Sequence, residues 1–138
     1  MKIRTFLLTC SLIAPAFSLH ADEDTPLEKQ MQIMARGMKQ LSGQINDPAK
    51  QESTVTLIET LKKAASNSKG WDPRKTASIP QADREKFLTA YKGQIDKLSE
   101  AFNQIEEAVK GNKYDQAKAL LATIGSIKKE GHSKFQQD

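Results

Sequence analysis

The chain has 138 residues, enough for one domain and little more. Its 21 Lys and Arg against 17 Asp and Glu give a formal charge of +4, yet no dense basic patch with interleaved aromatics occurs, which excludes a nucleic-acid partner. A single cysteine excludes an internal disulfide.

The chain opens with Lys2 and Arg4, an apolar run from Phe6 to Phe17, and then Ser18-Leu19-His20-Ala21. A basic start, a run of this length and a small residue before Asp22-Glu23-Asp24 read as a secretory signal peptide over residues 1–21, with Ser18 as the rival cleavage site. The run is too short for a membrane anchor. A lipidated Cys10 fits less well, because the apolar run continues past it. Cleavage after Ala21 leaves 19 of the 21 basic residues and all 17 acidic ones, so the charge falls from +4 to +2. The expected compartment is the periplasm.

Residues 22–138 then read as four amphipathic helices. Thr25-Pro26-Leu27-Glu28 is an N-cap, a proline at the first helical position and a capping box. Leu27, Met31, Met34, Met38, Leu41 and Ile45 follow at spacings of 4, 3, 4, 3 and 4, on one face. Asp47-Pro48 opens a second helix, from about Pro48 to Ala65 or Ser66, with a stripe of Thr54, Ile58, Leu61 and Ala65 widened by Val55 and Leu57. A linker from Asn67 to Gln81 holds Gly70, Trp71, Pro73 and Pro80 and is not helical throughout.

The third helix is expected from about Ala82 to Lys110, on Leu88, Tyr91, Ile95, Leu98, Phe102, Ile105 and Val109. Gly111 ends it, and Asn112 is expected to cap a fourth helix carrying Ala117, Leu120, Leu121, Ile124, Ile127 and Phe135. No strand signal appears. Two short turns and one longer linker predict an all-α, antiparallel up-down-up-down four-helix bundle, since helices of this kind are marginal alone.

Once residues 1–21 are removed, His132 is the one histidine left, and Met31, Met34 and Met38 are the methionines. In such a bundle the first helix begins where the fourth ends. Met31 lies six residues after Thr25 and His132 six before Asp138, so each sits roughly 9 Å from the same end. Imidazole and thioether form an axial pair for haem iron that raises its potential and leaves no open position for a substrate. Without C-x-x-C-H, any haem is held non-covalently. Ordinary readings stand beside this one: methionines on a stripe fill cores, and a histidine in a last turn suits the carbonyl end of its helix. Relative to Ile124, His132 falls about 80° round the helix, on the flank of the stripe.

Leu27-Glu28-Lys29-Gln30-Met31, Gly93-Gln94-Ile95-Asp96, Gly111-Asn112-Lys113 and Lys128 through Phe135 together resemble, in order and spacing, the soluble cytochrome b562 family. The family is a standard example of the four-helix bundle. The resemblance implies a periplasmic electron carrier with one b-type haem near one end, ligated by Met31 and His132. Met34 and Met38 would line the pocket one and two turns deeper, with Leu88 and Phe87 from the third helix and Leu61 and Ala65 from the second. Lys128 stands where the family's best-known member has arginine, and would meet a propionate as a point charge without the planar fork. Gly131 replaces an aromatic next to the ligand, which lowers local helix stability.

Trp71 is expected to plug the bundle end, the alternative being a fold over the haem edge. Lys128, Lys129 and Lys134 read as a solvated face or a docking site for an acidic redox partner. The implied partners are haem and unidentified redox proteins, for a monomer with no membrane anchor. No Ser/His/Asp set, acidic pair with a metal ligand or phosphate loop suggests an enzyme. Two other readings stay open: a Cu(I) buffer using the thioethers and His132, and a haem-free interaction bundle.

Overall fold

The computed structural model describes residues 24–136. They form four α-helices and, among the described residues, no strand: α1 (Pro26–Gln44), α2 (Gln51–Ser68), α3 (Arg84–Lys110) and α4 (Tyr114–Phe135). The all-α four-helix expectation holds. The proposed signal segment lies outside the described residues.

The start of α1 follows the sequence signal. Glu28 N–H donates to Thr25 Oγ1 at 3.2 Å, and Thr25 N–H donates to Glu28 Oε2 at 2.7 Å, which satisfies two of the helix's orphan donors. Glu28 also receives the Arg74 guanidinium from the linker, with Nε 2.8 Å from Oε1 and Nη2 3.0 Å from Oε2. These bonds to the Thr25 backbone and Arg74 hold the Glu28 carboxyl below its usual range.

The second helix starts later than expected. Asp47 does cap, accepting from Ala49 N–H at 3.0 Å, but it caps a 3-10 turn, Pro48–Lys50, and α2 begins only at Gln51. It continues to Ser68, two or three residues beyond the expected end. There the Ser68 hydroxyl donates back to the Ala65 carbonyl at 2.6 Å. The linker contains two further 3-10 turns, Arg74–Ser78 and Gln81–Asp83.

Asn112 does not cap α4. It adopts the left-handed conformation, with φ of 58°, and ends α3 instead. Its N–H donates to Val109 O and the next, Lys113 N–H, to Ala108 O, the paired bonds of a Schellman turn. Asparagine tolerates this backbone better than most residues. No side chain caps the start of α4.

Three seams hold the bundle: α1 against α2, α2 against α3, and α3 against α4; no comparable seam joins α1 to α4. The α1–α2 approach is set by Gly37, where an added Cβ would stand 2.6 Å from Leu61 Cδ2. The large side chains shut off from water are Phe102, Leu41, Ile45, Ile58, Leu61, Ile105 and Val109. Most of these belong to the end formed by the α1–α2 and α3–α4 turns. That end is also tied by polar contacts. Gln44 donates to Thr54 Oγ1 at 3.1 Å, and Gln51 Nε2 donates to Val109 O at 2.7 Å and to Asn112 Oδ1 at 3.1 Å.

Candidate functional site

The other end brings together the start of α1, the end of α2, the start of α3 and the end of α4. Phe135 of α4 meets Phe87 and Tyr91 of α3 edge-on, with ring centroids 5.3 and 5.6 Å apart. The Tyr91 hydroxyl, its pKa raised by burial, donates to Ser68 O at 3.0 Å. Across α1 and α2, the pairing of Gly37 with Leu61 and of Gln44 with Thr54 sets a register that puts Met31 level with the last turn of α2. Met31 is thus linked in height, through Ser68, Tyr91 and Phe135, to the helix turn that holds His132.

Direction round each helix completes the placement. On α1, the buried line is Met34, Leu41 and Ile45, and Gly37 and Gln44 lie on the side facing α2. Met31 and Met38 fall about 40–60° to the other side of that line, toward α4. On α4, the buried line is Ala117, Ile124 and Phe135. Ile127 and Gly131 lie on the side facing α3: Gln94 Nε2 donates to Ile127 O at 2.8 Å, and an added Cβ on Gly131 would stand 3.4 Å from Gln94 Cγ. His132 falls about 60° to the opposite side, toward α1. Met31 and His132 therefore occupy the two flanks of the one unclosed seam, at the same end of the bundle.

Met34 is buried in the core, whereas Met31 and Met38 are half-buried against it. His132 is exposed and its ring makes no hydrogen bond to the described residues; desolvation first, and the nearby Lys128 charge second, lower its imidazole pKa below the ordinary value. A lowered value favours the neutral ring that can ligate a metal. His132 lines an open hollow of about 480 Å³ on α4 with Gly125, Lys128, Lys129, Ser133 and Gln136. Lys128 forms no ion pair with a described carboxylate, unlike Lys134, which binds Glu130 at 2.6 Å. Leu88 is half-buried on the α2-facing flank of α3, apart from the core cluster that Phe87 joins. Leu61 and Ala65 are wholly buried. Trp71 does not plug the bundle end: it stands 48% exposed on the linker.

Gln94 is a positioning residue that stripe-reading passed over. Its amide spans from α3 to the Ile127 carbonyl and, at 3.2 Å, to Glu130 Oε2, and so fixes the turn of α4 just before His132. Glu130, whose carboxyl is held low by Lys134 and then by Gln94, anchors the same turn. The signal was a polar residue within the apolar stripe, between Tyr91 and Ile95.

A family model described as cytochrome b562 matches residues 26–136, from the first residue of α1 to just past the end of α4. The chain belongs to the cytochrome b562 family. Comparisons with curated proteins and with solved structures give no match. The cytochrome b562 family is one of haem-binding electron-transfer proteins with a helical-bundle fold. No helix among the described residues is long and apolar enough to cross a membrane.

The residues present fit a haem of this kind. A thioether and an uncommitted imidazole face one seam at one height. Backbone packing leaves that seam wide, the apolar side chains beside it, Leu27, Met31 and Ile127, are half-buried, and Lys128, without a carboxylate partner among the described residues, stands one turn from His132.

Proposed function

We propose that the mature chain is a periplasmic electron carrier, exported with loss of residues 1–21, that holds one non-covalent b-type haem between α1 and α4. The observation that carries this reading is the placement of Met31 and His132 on the facing flanks of the unclosed seam. Bound haem supplies a one-electron iron couple. Met31 and His132 would hold its iron, a donor pair that favours the reduced state. Met34 and Met38 would wall the slot with apolar, adaptable side chains, and Lys128 would offset a propionate charge. Gln94 and the Tyr91–Phe135–Phe87 cluster hold the turns of α4 on either side of His132. With Met31 and His132 both holding the iron, no position would be left open for a substrate, which suits transfer of electrons rather than catalysis.

The test is the visible spectrum of the purified periplasmic form, reduced with dithionite. Sharp haem bands are expected, and Met31→Ala should abolish the thioether–iron charge-transfer band of the oxidised protein while Met34→Ala and Met38→Ala retain it. A colourless protein that loads Cu(I) would replace this reading with the copper one; a protein taking up neither would leave only the bundle.

A further inference from the structure

We propose that the His132 end of the bundle is a docking surface for an acidic electron-transfer protein. The inference rests on the carrier reading above and adds the chemistry of the partner. Residues 24–34, 59–97 and 123–136 make up the half of the bundle that carries Met31 and His132. They hold 13 of the 19 basic and 8 of the 14 acidic side chains of residues 24–136, while the other half holds 6 of each. The whole net positive charge of the described chain therefore sits at one end.

Ion pairing does not cancel it. Lys62, Lys69, Lys97 and Lys134 meet carboxylates of Glu106, Asp96 and Glu130. Lys63, Lys75, Lys86, Lys92, Lys128 and Lys129 form no ion pair among the described residues, and the last two line the hollow beside His132. Trp71, the one large apolar side chain left in water among the described residues, stands on the linker at this same end. An exposed tryptophan is a usual anchor of a protein interface. A charge separated along the long axis orients the molecule as it approaches an oppositely charged surface and speeds productive encounter. That orientation would bring the His132 seam to the partner, so that one electron passes as the carrier is oxidised and the partner's centre reduced. A protein surface fits better than a lipid one, because each of the four helices turns its apolar stripe inward and Trp71 alone offers little to insert.

The test uses the haem-loaded mature protein, reduced, mixed by stopped flow with oxidised plastocyanin, a small copper protein with an acidic surface. The second-order rate should fall at least about tenfold between about 0.01 M and about 0.3 M salt. At low salt, Lys75→Glu/Lys86→Glu/Lys92→Glu should lower it about tenfold, while the reversal at the other end, Lys39→Glu/Lys113→Glu/Lys118→Glu, should leave it within about twofold. All variants should keep the same reduced haem bands. Haem bands with rates indifferent to salt, or lowered equally by both reversals, would overturn the docking surface and leave the carrier reading intact; absent bands would overturn both. Sedimentation with phosphatidylglycerol vesicles, lost in the first reversal while the plastocyanin rate is unchanged, would overturn it in favour of a membrane surface.

Discussion

The two ends of this bundle are built from the same four helices and differ in how completely they are finished. At the turn end, Phe102, Leu41, Ile45, Ile105 and Val109 are shut off from water, and Gln44, Thr54, Gln51 and Asn112 tie three elements by hydrogen bonds. At the other end the apolar groups Leu27, Met31, Ile33, Phe87, Leu88 and Ile127 are only half-buried, and the His132 ring has no partner among the described residues. The first end holds most of the large side chains wholly shut off from water. The second keeps half-buried apolar surface beside an exposed imidazole, an arrangement that a bound group would complete.

The contrast can be broken at the finished end first. Phe102→Ala should cost about 3–5 kcal/mol in urea unfolding of the haem-free protein, whereas Phe87→Ala, from a half-buried site, should cost clearly less. Equal losses would show that the ends are equally packed. Next, haem should raise the melting temperature of the unsubstituted protein, because a ligand of the native state adds stability by mass action. His132→Ala should weaken haem retention about a hundredfold, about 2.7 kcal/mol, with an unchanged haem-free melt. A haem-free melt that fell as well would make His132 a structural residue.

Glu106 tests the finished end electrostatically. Hydrogen bonds from Lys110 and Lys62 hold its carboxyl below the ordinary 4.5. The folded chain thus keeps this group ionised at a pH where the unfolded chain protonates it. The resulting stability is present above about pH 4.5 and is lost as pH falls from there through the folded value. At neutral pH, Glu106→Gln should cost near the low end of about 1.5–3 kcal/mol, since both lysines are partly in water. The acid limb of its stability curve should flatten.

Two glycines sharpen the comparison with the smallest effects. Gly37→Ala would drive a Cβ to 2.6 Å from the buried Leu61; overpacking of about 1–3 kcal/mol against a helix gain of about 1 kcal/mol predicts a net loss. At Gly131 the nearest atom, Gln94 Cγ, is 3.4 Å away, an ordinary contact, so Gly131→Ala should stabilise by about 0.5–1 kcal/mol. Opposite signs in chemical denaturation would bear out a tight α1–α2 seam and a looser α4 end.

Much of this was legible in the chain. The Thr25–Glu28 box, the α2 stripe and the apolar spacing of α3 each follow from local rules, and each appears as read. What sequence could not supply came from distant contacts. Asn112 was read as a cap because asparagine favours caps, yet the paired bonds to Ala108 and Val109 make it the end of α3. A linker that caps this end suggests Trp71 as its plug, yet the end it would plug is filled by Phe135, Phe87 and Tyr91. Gln94 acts through a carbonyl 33 residues away, which no local pattern encodes. Of the site, the matching heights of Met31 and His132 could be counted along the chain, while the side each faces needed Gly37 and Gln94 as reference points.

The fork between Arg74 and Glu28 has a bearing on timing. It secures the long α2–α3 connection to the start of α1, and no linker residue lines the hollow beside His132. Loop closure grows only slowly with length, about 0.6 kcal/mol per doubling, so the fork does more to choose the linker's path than to add stability. On that path the connection leaves the hollow beside His132 uncovered. A cofactor arriving at the seam would find its way unguarded, and the rate of uptake would follow its concentration and the breathing of two helices, with no separate gating step to wait for.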